Sequence, residues 1–436
     1  MRQSVPDTKI ERKRDMRKWM AVLLAGILGL FPATGLAEGI TAYKYIDAYD
    51  DAITIDDKEI ENNTIEAVNI NDYNKEPIKI LSYTKDTTLI IKKGVRIKTR
   101  GDYGMWMLAQ YGFASSILAG QDIFLNGSMN YGVQLEAFEN SSVNFDVKGN
   151  VTAKASIYTN EFKAVRIQVY NGNGVKVKAN IAGTLKSEGK NATGLSIFER
   201  VDQPSEEGSE VSVTIGGGII ADCNGIEINS DSQEKEFDLR YSIVVTGDVT
   251  AKEGYGLSVN TPYASTVVID GTLSGGQGAV QTSEKVSENL TLAAWKIDPK
   301  NGAYAVGGDG KRNEDAEKNL YYIIRVNQPE EGGTLYTENT ADIAGYDCAK
   351  AGDTVYLLGN LEKGYEMLAA FWDENLTQKM TVGGKNRFCM LVPAGGGVTL
   401  SAILRKPVHV KPQSVRPDYH VTYREAESFD TWIPVE

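Results

Sequence analysis

Tyr131-Gly132-Val133-Gln134-Leu135, Thr193-Gly194-Leu195-Ser196-Ile197, Asn224-Gly225-Ile226-Glu227-Ile228 and Tyr255-Gly256-Leu257-Ser258-Val259 are copies of one phrase, a glycine followed by apolar residues at every second position. Ala164-Val165-Arg166-Ile167 repeats it with alanine in place of glycine, and the copies recur about every 30 residues. A second phrase follows each of them and reads strand, glycine corner, strand. Examples are Val143 to Val151 with its corner at Gly149, Ile243 to Val249 with Gly247, and Val267 to Leu273 with Gly271. Each unit therefore holds about three short strands, and almost nothing between Asp86 and Ile297 has helical spacing.

A fixed period of 20 to 50 residues made of strands and glycine corners marks a solenoid, in which one unit buries its apolar side only when the next stacks on it. The expected fold is all-β, a parallel β-helix over residues 86–300, with Gln134, Arg166, Ser196, Glu227 and Ser258 pointing outward by the period of two. Glycine at the corners is expected because positive φ costs it little. An antiparallel sandwich or barrel also yields many short strands. Regular recurrence favours the solenoid, as do unit lengths that vary mainly between the two phrases, for example in the polar insert from Val201 to Glu210. The region resembles the right-handed parallel β-helix class called pectin-lyase-like, found in bacterial surface adhesins and in some polysaccharide-cleaving enzymes.

Beyond Asn301 a loop rich in glycine and charge, Gly307 to Asp315, leads into a different pattern. Tyr322-Ile323-Ile324-Arg325-Val326 reads as an opening strand. It is followed by Gly332-Gly333-Thr334-Leu335, then Ala351-Gly352-Asp353-Thr354-Val355-Tyr356-Leu357, then Lys363-Gly364-Tyr365. Phe388-Cys389-Met390 and Pro393 precede a last strand at Val398 to Ala402. The order resembles the bacterial surface repeat related to the internalin B-repeat family, with Leu391-Val392 inserted before the proline. The resemblance implies a small β-sandwich-like module over 318–405 that serves as a spacer or binding unit without chemistry. Residues 406–436 form an expected extended tail with Pro407, Pro412, Pro417 and Pro434.

The first 37 residues have the layout of a secretory signal peptide: basic residues from Lys9 to Lys18, an apolar run from Trp19 to Phe31, then Pro32, Gly35 and Ala37. The run is shorter than the roughly 20 residues that span a bilayer, so no stable membrane span is expected after cleavage between Ala37 and Glu38. Residues 38–85 are expected to form an N-terminal cap region. Cleavage removes seven basic and three acidic side chains and moves the net charge from −12 to about −16. That surplus repels nucleic acid and anionic lipid. The expected location is secreted or on a bacterial cell surface.

Candidates for chemistry are few. The two histidines, His409 and His420, lie in the proline-punctuated tail, which argues against histidine-based nucleophiles and metal sites in the folded body. The acidic stretch Asp47, Asp50, Asp51, Asp56, Asp57, Glu59 and Glu61 offers hard oxygen donors that suit calcium, but it lacks the Asp-x-Asp-x-Asp-Gly loop spacing and reads as a solvated face. Arg96-Ile97-Lys98 matches a polygalacturonase motif only superficially, because it precedes the coils and has no accompanying histidine. Asp222 and Asp231 read as turn residues that cap backbone. Tyr103, Trp106, Tyr111, Tyr131, Tyr158 and Tyr170 are candidates for stacking on sugars, against the alternative that they simply pack. Cys348 and Cys389 share one module in an oxidising compartment and are expected to pair, leaving Cys223 free.

The sequence thus points to a secreted or surface interaction protein that presents a solenoid face to polysaccharide or surface proteins, with no catalytic residues and no cofactor or metal. The alternative is a β-helix carbohydrate-active enzyme, a lyase or glycoside hydrolase. N-terminal sequencing of exported protein should read from Glu38, and recovery of an intact segment through Phe31 would reject the cleavage site.

Overall fold

The computed structural model describes residues 41–43, 46–49, 52–55, 64–68, 78–91, 96–155, 161–170, 174–200, 208–231, 238–282 and 288–406; within it, the side chains of 41–68, 96–103 and 126–129 are left undescribed. The signal segment, most of the acidic stretch, Tyr158 and the tail lie outside these residues. Among them the chain winds as a parallel β-solenoid whose strands stack on three faces.

Face 1 carries Val151–Ala155, Leu185–Glu188, Ile219–Ala221 and Val249–Ala251 in one parallel ladder. Face 2 carries Ile78–Ser82, Phe162–Tyr170, Ala192–Arg200, Ile226–Ser230, Tyr255–Asn260 and Gly278–Thr282. Face 3 carries Thr87–Ile91, Ala114–Ala119, Ser142–Val147, Lys176–Ile181, Ser209–Ile215 and Leu239–Val245. Two long strands, Arg96–Ala109 and Ile123–Ala137, run from face 1 onto face 2 and pair with each other along both. The repeated glycine phrase is face 2. The second phrase is face 3, the corner and face 1.

Alternation fills the interior. On face 2 the register aligns Ile78, Met105, Val133, Val165, Leu195, Ile226, Leu257 and Val280, all at most 1% exposed. Burying such a side chain contributes about 1.5–3 kcal/mol relative to leaving it in water, and the backbone groups of each strand are satisfied by the coils on either side.

The corner glycines work differently from the expectation. Gly149, Gly183, Gly217, Gly247 and Gly271 all lack positive φ. What they need is room. A Cβ on Gly247 would lie 2.6 Å from Gly217 O, and one on Gly217 would lie 2.7 Å from Thr184 Oγ1. The phrase glycines are constrained in the same way, since a Cβ on Gly225 would lie 2.6 Å from Gly256 O. Real Cβ atoms do not approach that closely, so successive coils stack at these corners only through backbone without side chain.

The parallel pairing is longer than residues 86–300. Thr41–Tyr43 pairs with Thr64–Val68, Ile46–Tyr49 with Ile78–Ser82, and Ala52–Ile55 with Thr87–Ile91, so coils run through the stretch expected to be a cap. At the other end Leu290–Ile297 pairs in parallel with Leu320–Ile323, which pairs antiparallel with Tyr346–Lys350. The opening strand expected at Tyr322 to Val326 is therefore split. Its first part is the last parallel strand of the solenoid, and Arg325–Val326 enters another sheet, where Arg325 N donates to Val398 O at 3.2 Å.

The C-terminal module has two small sheets. Arg325–Val326, Thr399–Arg405 and Glu366–Phe371 form one; Gly333–Glu338, Thr354–Leu361, Arg387–Leu391 and Thr381–Gly384 form the other, which is antiparallel. Leu335, Val355, Leu357, Phe388, Met390 and Leu400 from both sheets share the buried core. Here glycine does use positive φ, at Gly352 (+84°) in the Ala-Gly-Asp turn and at Gly364 (+93°) before Tyr365.

The expected Cys348–Cys389 bridge is not formed, and all three cysteines are free. Cys348 lies on the hairpin that pairs with the solenoid's last strand, packed with Val268, Ala293, Ile323 and Ile343, whereas Cys389 lies on the four-stranded sheet opposite Tyr356. Burial pushes the Cys348 thiol up to about 12.

Gly247→Ala should destabilise the protein by about 1–3 kcal/mol, the cost of forcing a methyl into filled space. Gly308→Ala, where a Cβ meets nothing within 4 Å, should stay within about 0.5 kcal/mol. Urea midpoints of the two variants check this, and equal midpoints would reject the steric account of the corners.

Candidate functional site

The outward positions of face 2 form the most structured surface among the described residues. Register places Lys79, Trp106, Gln134, Arg166, Ser196, Glu227, Ser258 and Gln281 in one outward column, at the strand spacing of about 4.8 Å. A second outward column contains Glu136, Gln168, Phe198 and Asn229. These side chains point away from the core, yet Gln134, Glu136, Gln168 and Ser196 are only 4–7% exposed. Outward residues elsewhere, such as Lys178 and Thr214 on face 3 or Lys154 and Thr250 on face 1, are exposed. Face 2 is recessed.

Its contacts mix rings, cations and amides. Lys79 Nζ sits 4.5 Å from the Trp106 ring centre, and Trp106 Nε1 donates to Glu136 Oε2 at 2.9 Å. Gln134 Nε2 donates to Glu136 Oε1. The Arg166 guanidinium lies between two rings, 4.5 Å from Tyr131 and 5.4 Å from Phe198. Phe138 and Tyr170 stack at 4.3 Å with 10° between planes. Burial, and then the Glu136 carboxylate, raise the Tyr170 phenol above its ordinary value. Further along, Ser258 Oγ donates to Gln281 Oε1 at 2.9 Å.

Lys163 ties two coils together. It stands on the same strand as Arg166, with its Nζ 2.6 Å from Glu227 Oε2 and 2.9 Å from Glu161 Oε1. Asn229 Nδ2 donates to the other Glu227 oxygen at 2.6 Å. Burial alone would lower the Lys163 pKa, but the two glutamates outweigh it and leave the ammonium above the ordinary lysine value. A lysine in that state is a fixed cation at neutral pH and does not serve as a base.

Of the aromatic residues named from sequence, Trp106, Tyr131 and Tyr170 come together on this face. Tyr111 is a 76% exposed turn residue with φ +58°, and the Tyr103 side chain lies outside the described residues, as do the side chains of the acidic stretch. Arg96, Ile97 and Lys98 fall on face 1, in register with Ile123 and Phe124, on a different face from the strip. Asp222 accepts the Gly189 N–H at 2.8 Å, as a turn residue should, and Asp231 follows the strand Ile226–Ser230 directly. Sequence reading passed over Phe198, Phe138, Glu136 and Lys163. Phe198 and Glu136 were within reach of the period of two, since each is the second outward residue after the phrase glycine. Phe138 sits just past the end of its strand and carried no signal.

Among the described residues no helix is long and apolar enough to cross a membrane, and no cluster of histidine, cysteine and carboxylate side chains could hold a metal. No family model, no curated protein and no solved structure matches the sequence.

Lys163→Met should cost up to about 3 kcal/mol, the low end for breaking a buried pair, because it strands Glu227. Since the folded pKa of Lys163 is raised, its contribution is fully present below the ordinary lysine pKa and is lost as pH climbs through the folded value. The stability gap between wild type and variant should hold from pH 7 to about pH 10 and shrink above that. Denaturation midpoints against pH measure it, and a gap that vanished near neutrality would contradict the assignment.

Proposed function

We propose that this chain is an exported surface protein that binds a glycan along the outward strip of face 2 and performs no chemistry on it. The observation that carries the reading is the outward strip of face 2, where the Trp106, Tyr131 and Phe198 rings, on three neighbouring columns, lie among amide, hydroxyl and guanidinium groups. Rings offer flat apolar faces to the C–H side of a sugar, and polar groups between them reach its hydroxyls. Export is supported by the basic, apolar and small-residue order of residues 1–37. The acidic surplus of the chain suits a soluble partner of neutral or basic surfaces.

Binding should be spread over several coils, as on other extended repeat surfaces. Trp106→Ala and Phe198→Ala should each weaken glycan binding by roughly 3- to 10-fold, the scale of one ring contact of about 0.5–1.5 kcal/mol, and neither should abolish it. Glycan arrays followed by calorimetry read this directly. Release of unsaturated or reducing ends that disappeared in Glu136→Gln or Glu227→Gln, with folding intact, would replace this reading with the carbohydrate-active enzyme.

A further inference from the structure

The side chains of the strip divide into those that reach its surface and those that lie under it. Gln134 and Glu136 are only 6% and 7% exposed, whereas the Trp106 ring is half-buried and keeps part of its surface open. What the covered groups contact is that ring. Trp106 Nε1 donates to Glu136 Oε2 at 2.9 Å, and the other carboxylate oxygen accepts from Gln134 Nε2. Gln134 is the register partner of Trp106 on the next coil, and Lys79, its partner on the preceding coil, sets its ammonium 4.5 Å from the ring centre. The carboxylate is thus fixed by a donor on each oxygen, and it fixes the indole in turn. An N–H bonded to a carboxylate is a charge-assisted contact, about twice as strong as a neutral one.

Building on the glycan reading above, we propose that Glu136 is a positioning residue of the strip: it does not touch the sugar, and it sets the affinity by holding Trp106 in the orientation that the sugar meets. A ring free to change rotamer must be immobilised when ligand binds, and that loss of freedom weakens the complex. A ring already held has lost the same freedom on folding. The network also accounts for a carboxylate placed where no ligand reaches it, since each of its oxygens has a donor. It specifies which replacement works. Glutamine at 136 can accept from Trp106 Nε1 with its oxygen, and its Nε2 finds an acceptor once the Gln134 amide turns over. Leucine offers nothing to either donor.

The test uses two measurements on the full chain. In a proton–nitrogen correlation spectrum of the indoles, the Trp106 signal is assigned by its loss in Trp106→Phe. Its exchange with solvent should be slow in wild type and in Glu136→Gln, and about tenfold or more faster in Glu136→Leu. Calorimetry uses hexasaccharides of glucose, mannose and N-acetylglucosamine as probes. For a probe that wild type binds, Glu136→Leu and Trp106→Phe should each weaken binding by roughly 2- to 10-fold, the scale of immobilising one side chain, while Glu136→Gln keeps the wild-type affinity. The double variant should be no weaker than Trp106→Phe alone, because both substitutions remove one bond. Circular dichroism verifies folding, and Trp106→Phe, which deletes the bond while Glu136 stays paired with Gln134, tests the inference if Glu136→Leu unfolds. Additive losses in the double variant would mean that Glu136 meets the sugar itself, and wild-type affinity in Glu136→Leu or Trp106→Phe would mean that the bond positions nothing. Either result overturns the inference and leaves the glycan reading standing, as would an indole signal equally protected in Glu136→Leu. Failure of every hexasaccharide to bind would instead remove the glycan reading and, with it, the role given to Glu136.

Discussion

From Gly149 to Gly271 the coils depend on backbone meeting backbone at the corner between face 3 and face 1. At Gly217 and Gly247 successive turns approach so closely that no side chain fits between them. The backbone hydrogen bonds of the ladders set the coil spacing at about 4.8 Å, and the corners must leave room for it. A strand here has no hairpin partner within its own coil. Its N–H and C=O groups are satisfied only by the coils above and below, so cooperativity runs along the axis and a fault at one corner is felt by both neighbours. The apolar columns contribute most of the favourable free energy, but they can form only where the corners let the coils close.

The solenoid was legible because that constraint leaves a double mark, a glycine at each corner and alternation on each strand. The outward identity of Gln134, Arg166, Glu227 and Ser258 followed from period alone, and the structure places all four in a single column. The reason for the glycines did not follow, because sequence cannot distinguish a residue chosen for positive φ from one chosen for lack of volume. The first coils were hidden for a related reason: their short apolar runs, such as Ala52–Ile55, lack the glycine phrase and are set among acidic residues. The break at Ile324 was hidden too. Leu320, Tyr322, Ile323 and Ile324 are all buried, so the apolar run continues across it although the chain leaves one sheet there for another. The cysteine pairing failed because membership of one sequence module did not mean membership of one sheet.

The candidate strip was half legible. Period identifies which residues face outward, but it says nothing about which of them are covered by their neighbours, as Gln134, Glu136, Gln168 and Ser196 are on face 2. Outward positions on face 3 near the C-terminal end are taken up by the protein itself, where Val268, Ala293 and Tyr321 pack with Ile343 and Tyr346 of the module. Face 1 presents exposed lysines and threonines with few contacts among them. On face 2 rings, amides and ions from different coils organise one another, and such cross-coil contacts between Trp106 and Glu136, or Lys163 and Glu227, span 30 and 64 residues of sequence. No local pattern encodes them.

The C-terminal module resolves a problem that the repeat creates. A parallel stack must end on a strand with an open edge and a core open at its end, and both invite association with other chains. Here the hairpin Ala341–Ile343 and Tyr346–Lys350 pairs antiparallel with Leu320–Ile323, closing the edge. The short helix Glu314–Lys318, capped by Asn313 Oδ1 accepting from Ala316 N at 3.0 Å, sets Ala316 over Val280, Leu292 and Leu320 and closes the core. Arg325 then fastens the junction, 4.2 Å from the Trp295 ring centre and 2.8 Å from Asp270 Oδ1 on the solenoid, while Trp295 Nε1 donates to Val398 O at 3.3 Å. A module tied on through its first and last strands is therefore a lid on the end of the solenoid.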